Sequence, residues 1–259
     1  MQTYKIPENF RNKLNNNEVV FGVFCKATTP EWIECIGNAG FDFVILDREH
    51  AGPNWTELKS LIMACELTNM ASFVRVSEPL ASEIGHSLDL GATGIVVPQV
   101  STIEKAKTSI ESAKFAPIGS RGVCRFVRGA DYSQMNREIY FKEANKNVVV
   151  IQLEGTDLNS YEEFLDFPEI DVIFIGPYDL SQRLGMPGQV DHPTVIQEVN
   201  RLISLAKGKG KSIGIFADTI EQANRWISAG CQYIAYSVDV GIFSTACTKL
   251  ASELNELRK

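Results

Sequence analysis

The chain reads as an α/β protein, a single (β/α)8 TIM-type barrel spanning residues 1–259. Three observations carry this reading. Eight short apolar runs rich in β-branched and aromatic residues recur, segments of helical period separate them, and no Gly/Ser/Pro linker or composition break divides the chain. Continuous apolar runs need cover on both faces of their sheet, which a ring of strands wrapped in helices supplies better here than an open doubly wound sheet.

In chain order, strands are expected at 19–25 (VVFGVFC), 41–47 (FDFVILD), 71–76 (ASFVRV), 94–99 (GIVVPQ), 148–154 (VVVIQLE), 172–176 (VIFIG), 212–217 (SIGIFA) and 233–239 (YIAYSVD). Between them, Pro30 opens the helical PEWIECIGNAG, and NWTELKSLIMACELTN is amphipathic. EPLASEIGHSLDLG and TIEQANRWISAG close on Gly91 and Gly230, the residue type a left-handed C-cap favours. Residues 118–147 form a long connection before strand five, a length more often functional than idle in compact domains. After Val240, a last helix carries apolar Phe243, Leu250 and Leu254, to pack on its own barrel or on a neighbour's.

Composition narrows the partners. With 32 acidic against 25 basic side chains the net charge is -7, which argues against a general nucleic-acid or anionic-membrane binder. Any anion it binds must meet a local basic pocket. No apolar stretch approaches the ~18 residues of a membrane span, and the start, MQTYKIPENFRNKLNNNE, is polar, so a cytoplasmic location is expected. The cysteines are scattered with no C-x-x-C pair and are expected to be reduced thiols, most of them buried.

Several chemistries lack their signatures. No G-x-G-x-x-G opens a helix after the first strand, and Gly210-Lys211-Ser212 precedes a strand instead of following one, so neither dinucleotide nor P-loop binding is supported. There is no H-E-x-x-H, no Cys/His cluster at zinc spacing and no G-x-S-x-G elbow.

In such a barrel the reactive groups sit at the C-terminal ends of the strands. Strand two ends Asp47-Arg48-Glu49-His50, strand three carries Arg75, strand four ends Pro98-Gln99, strand five ends Gln152-Leu153-Glu154, and strand six runs into Gly176-Pro177-Tyr178-Asp179. Glu154 and Asp179 close consecutive strands, so both carboxylates can converge on a hard divalent cation, Mg2+ or Mn2+. Taken singly, each reads equally as a helix cap or a solvated loop acid. Arg75 can bind the carboxylate or polarised keto oxygen of a 2-oxo acid, or be spent in an ion pair with Asp47 or Glu49. His50 can move the proton, held in tautomer by Asp47 or Asp89.

These residues, in this order, resemble the HpcH/HpaI family of metal-dependent aldolases and, more distantly, citrate lyase β-subunits. The resemblance spans nearly the whole chain: Phe21-Gly22, NAGFDFVILDREH (38–50), Val74-Arg75-Val76, LDLGATGIVVPQV (88–100), Pro117 with Gly119-Ser120-Arg121-Gly122, IQLE (151–154), FIGPYDLSQRLGMPG (174–188) and SVD (237–239). It implies a modified (β/α)8 barrel, often with the last helix exchanged between protomers of a homo-oligomer. It also implies a divalent metal on Glu154 and Asp179, 2-oxo-acid binding through Arg75, Gln152 and backbone near Gly176 and Pro177, and proton transfer by His50 with Asp47 and Asp89.

Two departures stand out against the family pattern. Arg48 replaces a small Gly beside the histidine, and Arg125 and Arg128 follow Arg121 where small residues are more usual. Extra cations suit a substrate with more carboxylates than pyruvate, or an anionic thioester. Within the family this combination resembles a siderophore-pathway citrate synthase, implying condensation of acetyl-CoA with oxaloacetate, with Arg48, Arg121, Arg125 and Arg128 on carboxylates or CoA phosphates. The alternative is a class II aldolase releasing pyruvate and an aldehyde from 4-hydroxy-2-oxo acids. A non-catalytic binding or assembly subunit would be expected to have lost Glu154, Asp179, Arg75 or His50, and all four are present.

Overall fold

The computed structural model describes residues 8–50, 52–153 and 161–258. Eight parallel strands, β1 (Val20–Cys25), β2 (Phe43–Asp47), β3 (Ala71–Arg75), β4 (Gly94–Val97), β5 (Val148–Leu153), β6 (Val172–Ile175), β7 (Ser212–Ala217) and β8 (Tyr233–Val238), close into a barrel in chain order. All eight expected strands are present. Closure is made by β1 against β8, with Val20 opposite Tyr233 and Gly22 opposite Ala235.

The helices are α1 (Glu8–Asn15), α2 (Pro30–Asn38), α3 (Trp55–Leu67), α4 (Ala81–Asp89), α5 (Ile103–Ala113), α6 (Arg137–Ala144), α7 (Tyr161–Phe164), α8 (Pro177–Arg183), α9 (Pro193–Gly208), α10 (Ile220–Ala229) and α11 (Asp239–Glu256). Their ends follow local chemistry. Pro30 occupies the first turn of α2, where its missing N–H costs nothing, and Asn54 with Glu57 forms a reciprocal capping box on α3. Gly91 and Gly230 take the positive φ expected of residues that stop α4 and α10.

Period two along the strands sorts the core into two layers. Val44 and Leu46 face the helices and join Leu58, Ile62 and Ile84 in the outer layer. Phe43 and Ile45 face inward with Phe24, Phe73, Phe174 and Tyr233, filling the barrel, and Phe10 of α1 plugs its lower end against Phe43, Phe73 and Tyr233. Gly22 is required by this filling: a Cβ there would lie 2.2 Å from the Phe43 ring. Emptying the Phe73 site by substitution with Ala would cost about 3–5 kcal/mol.

The connection over 118–147 is not irregular throughout, since it holds a short 3-10 segment, Arg128–Ser133, and α6. It follows a helix, not a strand. It therefore lies at the end of the barrel where strands begin, opposite the mouth where they finish. α11 is exposed along nearly its whole length; only Asp239 is buried, and Phe243 makes an edge contact with Trp32 at 5.4 Å. All six cysteines are free thiols, three buried (Cys25, Cys65, Cys231) and three exposed (Cys35, Cys124, Cys247), so burial covers half of them instead of most. No helix among the described residues is long and apolar enough to cross a membrane.

Candidate active site

The inward parity of each strand runs past its last apolar residue and delivers a polar one to the mouth. Phe43 and Ile45 lead to Asp47; Ala71 and Phe73 lead to Arg75; Val148 and Val150 lead to Gln152. Because β2 and β3 pair with Asp47 opposite Arg75, the two charges meet side by side at the ends of adjoining strands. Arg75 Nε donates to Asp47 Oδ1 at 2.9 Å and Nη2 lies 2.8 Å from Oδ2, while Nη1 lies 3.0 Å from Glu49 Oε2. The arginine thus takes the ion-pair alternative with both acids. Of these three contacts only that of Nε is a hydrogen bond, the other two being charge pairs, so the guanidinium keeps N–H donors for a ligand.

Asp47 is fully buried, which by itself would raise its pKa. The hydrogen bond and charge of Arg75, with the backbone N–H groups of His50 and Glu49, outweigh burial and hold the carboxyl below its ordinary range. Asp47 therefore serves as the fixed anion that shapes the 47–50 turn, accepting from Glu49 N at 3.0 Å and His50 N at 3.3 Å. It steers His50 through the backbone, and the acid paired with the imidazole among the described residues is Glu49, with Oε2 3.8 Å from Nε2. Glu49 is held in turn by Gln99, whose Nε2 donates to Oε1 at 2.9 Å from a backbone at φ +54. A non-glycine residue in that region carries strain, and such strain concentrates at functional sites. Beneath this network Phe24, Phe174 and Phe216 form an aromatic floor, with the Arg75 guanidinium 4.8 Å above the Phe24 ring. That floor keeps water from below and strengthens every charge above it.

Across the mouth, Gly176 and Pro177 are buried where β6 meets α8, and Asp179 sits exposed in the first turn of α8. Gln152 is buried at the end of β5. Glu154 lies outside the described residues. Among the described residues no group of three or more His, Cys, Asp or Glu side chains is assembled for a metal, so Asp179 is the described member of the expected pair. It is an exposed hard-oxygen donor one strand over from the end of β5, the ligand type a divalent cation takes.

The other expected site residues are elsewhere. Arg48 turns away from the mouth: its guanidinium stacks 3.5 Å over Trp55 and reaches Glu83 at 3.3 Å and the Pro53 carbonyl at 3.3 Å. Asp89 ends α4, at the far end of the barrel from His50, and pairs with buried Arg121 at 2.6 Å. Arg128 binds Glu66 and the Leu90 carbonyl, tying the C-termini of α3 and α4, while Arg125 donates to the carbonyls of Ser133 and Met135 at 3.0 and 2.7 Å. These three arginines fasten the lower connection and do not line this chain's own mouth. A cavity of about 340 Å3 beside Asp89 and Arg121, lined also by His86 and Ser82, runs along the flank of α4. It lies away from the charged strand ends, and those, not the hollow, mark the site.

One mouth residue escapes a reading by runs of polar residues. Lys26 follows Val20, Gly22 and Phe24 in the same inward parity, and its Nζ lies 3.9 Å from Asp47 Oδ2. Parity counted one step beyond each strand would have found it.

A closed parallel barrel with a buried carboxylate–guanidinium pair and a histidine at its mouth has a counterpart among known proteins. The chain belongs to the HpcH/HpaI aldolase/citrate lyase family, whose model matches residues 20–246. Its relatives make or break carbon–carbon bonds. They include a 5-keto-4-deoxy-D-glucarate aldolase of Klebsiella pneumoniae, 34% identical over 249 residues that cover 95% of this chain and 96% of that one. A family protein from Burkholderia cenocepacia matches with a TM-score of 0.89 at 26% identity, over 95% and 99% of the two chains. Citrate Synthase SbnG matches with a TM-score of 0.85 at 27% identity, over 96% and 98%.

Proposed function

We propose that the chain is an aldolase that cleaves the C3–C4 bond of a 4-hydroxy-2-oxo acid, releasing pyruvate and an aldehyde. The observation that carries this reading is the buried Asp47–Arg75–Glu49 cluster beside exposed His50, which offers guanidinium N–H donors next to an imidazole whose ring nitrogens can accept and donate a proton. A divalent cation, Mg2+ or Mn2+, held by Asp179 and Glu154, would polarise the keto oxygen. Arg75 binds the 2-oxo acid and offsets the negative charge that grows on that oxygen, with Gln152 and the Gly176–Pro177 backbone bounding the same space. His50 takes the proton of the 4-hydroxyl. As the C3–C4 bond breaks, its electron pair passes to the pyruvate enolate, and His50 returns the proton to C3.

The 34% identity to a keto-deoxy-glucarate aldolase supports cleavage, as does the placement of Arg121, Arg125 and Arg128 away from the mouth, which removes the cations expected to take a CoA partner. The likeness to Citrate Synthase SbnG supports the second reading, condensation of acetyl-CoA with oxaloacetate to supply citrate for siderophore biosynthesis. One pair of assays separates them: coupled detection of pyruvate from 4-hydroxy-2-oxo acids, and release of free thiol with citrate from acetyl-CoA and oxaloacetate, both with Mg2+. Pyruvate without citrate supports cleavage. Citrate without pyruvate replaces it by the second reading, and neither product rejects both.

The reading also takes the chain as one cytoplasmic domain and as a homo-oligomer exchanging α11. The exposed row Phe243, Leu250 and Leu254 supports that exchange, being apolar surface a lone protomer leaves wet. Light scattering should give a multiple of 28.7 kDa, and Leu250→Glu with Leu254→Glu should shift it to monomer.

A further inference from the structure

We propose that Lys26 is a specificity-determining cation of the mouth, recognising the second carboxylate of a dicarboxylic 2-oxo acid or its aldol adduct. The proposal rests on the reading of the mouth as a 2-oxo-acid site. Arg75 cannot serve two anions well, because it is already matched against two carboxylates of its own, Asp47 and Glu49. Lys26 differs. Its one ion pair among the described residues is with Asp47 at 3.9 Å, beyond hydrogen-bond reach, so its ammonium keeps its donors for a ligand.

The backbone behind it is fixed. Asp239, buried at the start of α11, accepts from Lys26 N at 3.1 Å and Ala27 N at 2.9 Å, and Cys25 Sγ lies 3.2 Å from the same carboxylate. A flexible side chain on a pinned backbone, 34% exposed, presents a point charge at a defined edge of the mouth. Asp47 draws that charge inward, toward Arg75, so a ligand whose first carboxylate meets Arg75 brings a second one within reach of Lys26. A monocarboxylate has nothing to offer it.

The test is equilibrium binding by calorimetry to the full chain in Mg2+, with malate and lactate as stable probes that differ by one carboxylate. Wild type should prefer malate, and Lys26→Met should lower that preference by about tenfold, which is about 1.4 kcal/mol. Lys26→Arg, which keeps the charge, should retain most of it. Equal weakening of both probes, no change in the ratio, or a wild type without preference would each overturn the proposal. If the preference is present and charge-dependent while neither pyruvate nor citrate is formed, the reaction assigned above fails and the role of Lys26 stands.

Discussion

The two ends of the barrel use the same device, an arginine against a carboxylate, for opposite purposes. At the mouth, Arg75 bridges Asp47 and Glu49 on neighbouring strand ends, over aromatic rings and beside an exposed histidine. At the lower end, Arg128 clasps Glu66 and the Leu90 carbonyl, and Arg121 clasps Asp89. The lower arginines close the ends of helices whose last carbonyls lack partners, a structural duty. Burial and ion pairing look alike in the two places. What separates them is which end of a strand they stand on, and whether a titratable or ligand-facing group remains beside them.

The largest contrast is expected from matched substitutions. Arg75→Met should lower kcat/KM by about 10³-fold, the range for losing a charge-stabilising donor. Arg128→Met should leave activity per folded molecule within about twofold while costing about 1–3 kcal/mol in urea unfolding, because it removes the ion pair with Glu66 and the donor to the Leu90 carbonyl. A collapse of activity in the second variant would erase the contrast. Next in size, Asp179→Asn should raise the Mg2+ concentration for half-maximal activity at least tenfold, as loss of a donor or its support typically does; an unchanged metal requirement would move the metal elsewhere.

The smallest effects are in pH, and the two ends should gain stability with rising pH in separate windows, the mouth in acid and the lower end in base. Asp47 has a folded pKa below its usual value, so its stabilisation is complete above about 3.8 and is lost as pH falls through the folded value. Lys114, buried under the lower connection and donating to the Asn145 and Asn147 carbonyls, is pushed down from 10.5 to about 8, chiefly by burial. The unfolded chain then holds more protons between those two values, so stability should rise with pH across that window, at no more than about 1.4 kcal/mol per pH unit. Lys114→Met should flatten that rise and Asp47→Asn the acid slope; unfolding midpoints measured from pH 3 to 10.5 check both.

Period and composition made the barrel legible, because eight covered strands must be apolar and their helices must turn back on them. The acid–arginine–histidine group was legible for the same reason: Asp47, Arg75 and Gln152 are polar interruptions of runs that must end somewhere. The loop arginines were misplaced because their residue type suggests an anion while their position after α5 assigns them to the lower end. Arg48 was misdirected because a side chain leaving the 47–50 turn can swing outward, and Trp55 with Glu83 offers a better surface than the mouth. Lys26 was missed because a single lysine after a strand looks like any solvated charge until Asp47 is placed beside it.

The hydrogen bonds that tie Lys26 to Asp239 join residues 213 apart in sequence, as does the pairing that closes β1 on β8. Such contacts form only after most of the loop entropy of the chain has been spent. The edge of the mouth that carries Lys26 is thus among the last parts of the molecule to be made, and a ribosome must deliver β8 and the start of α11 before the first strand has a finished neighbour on that side.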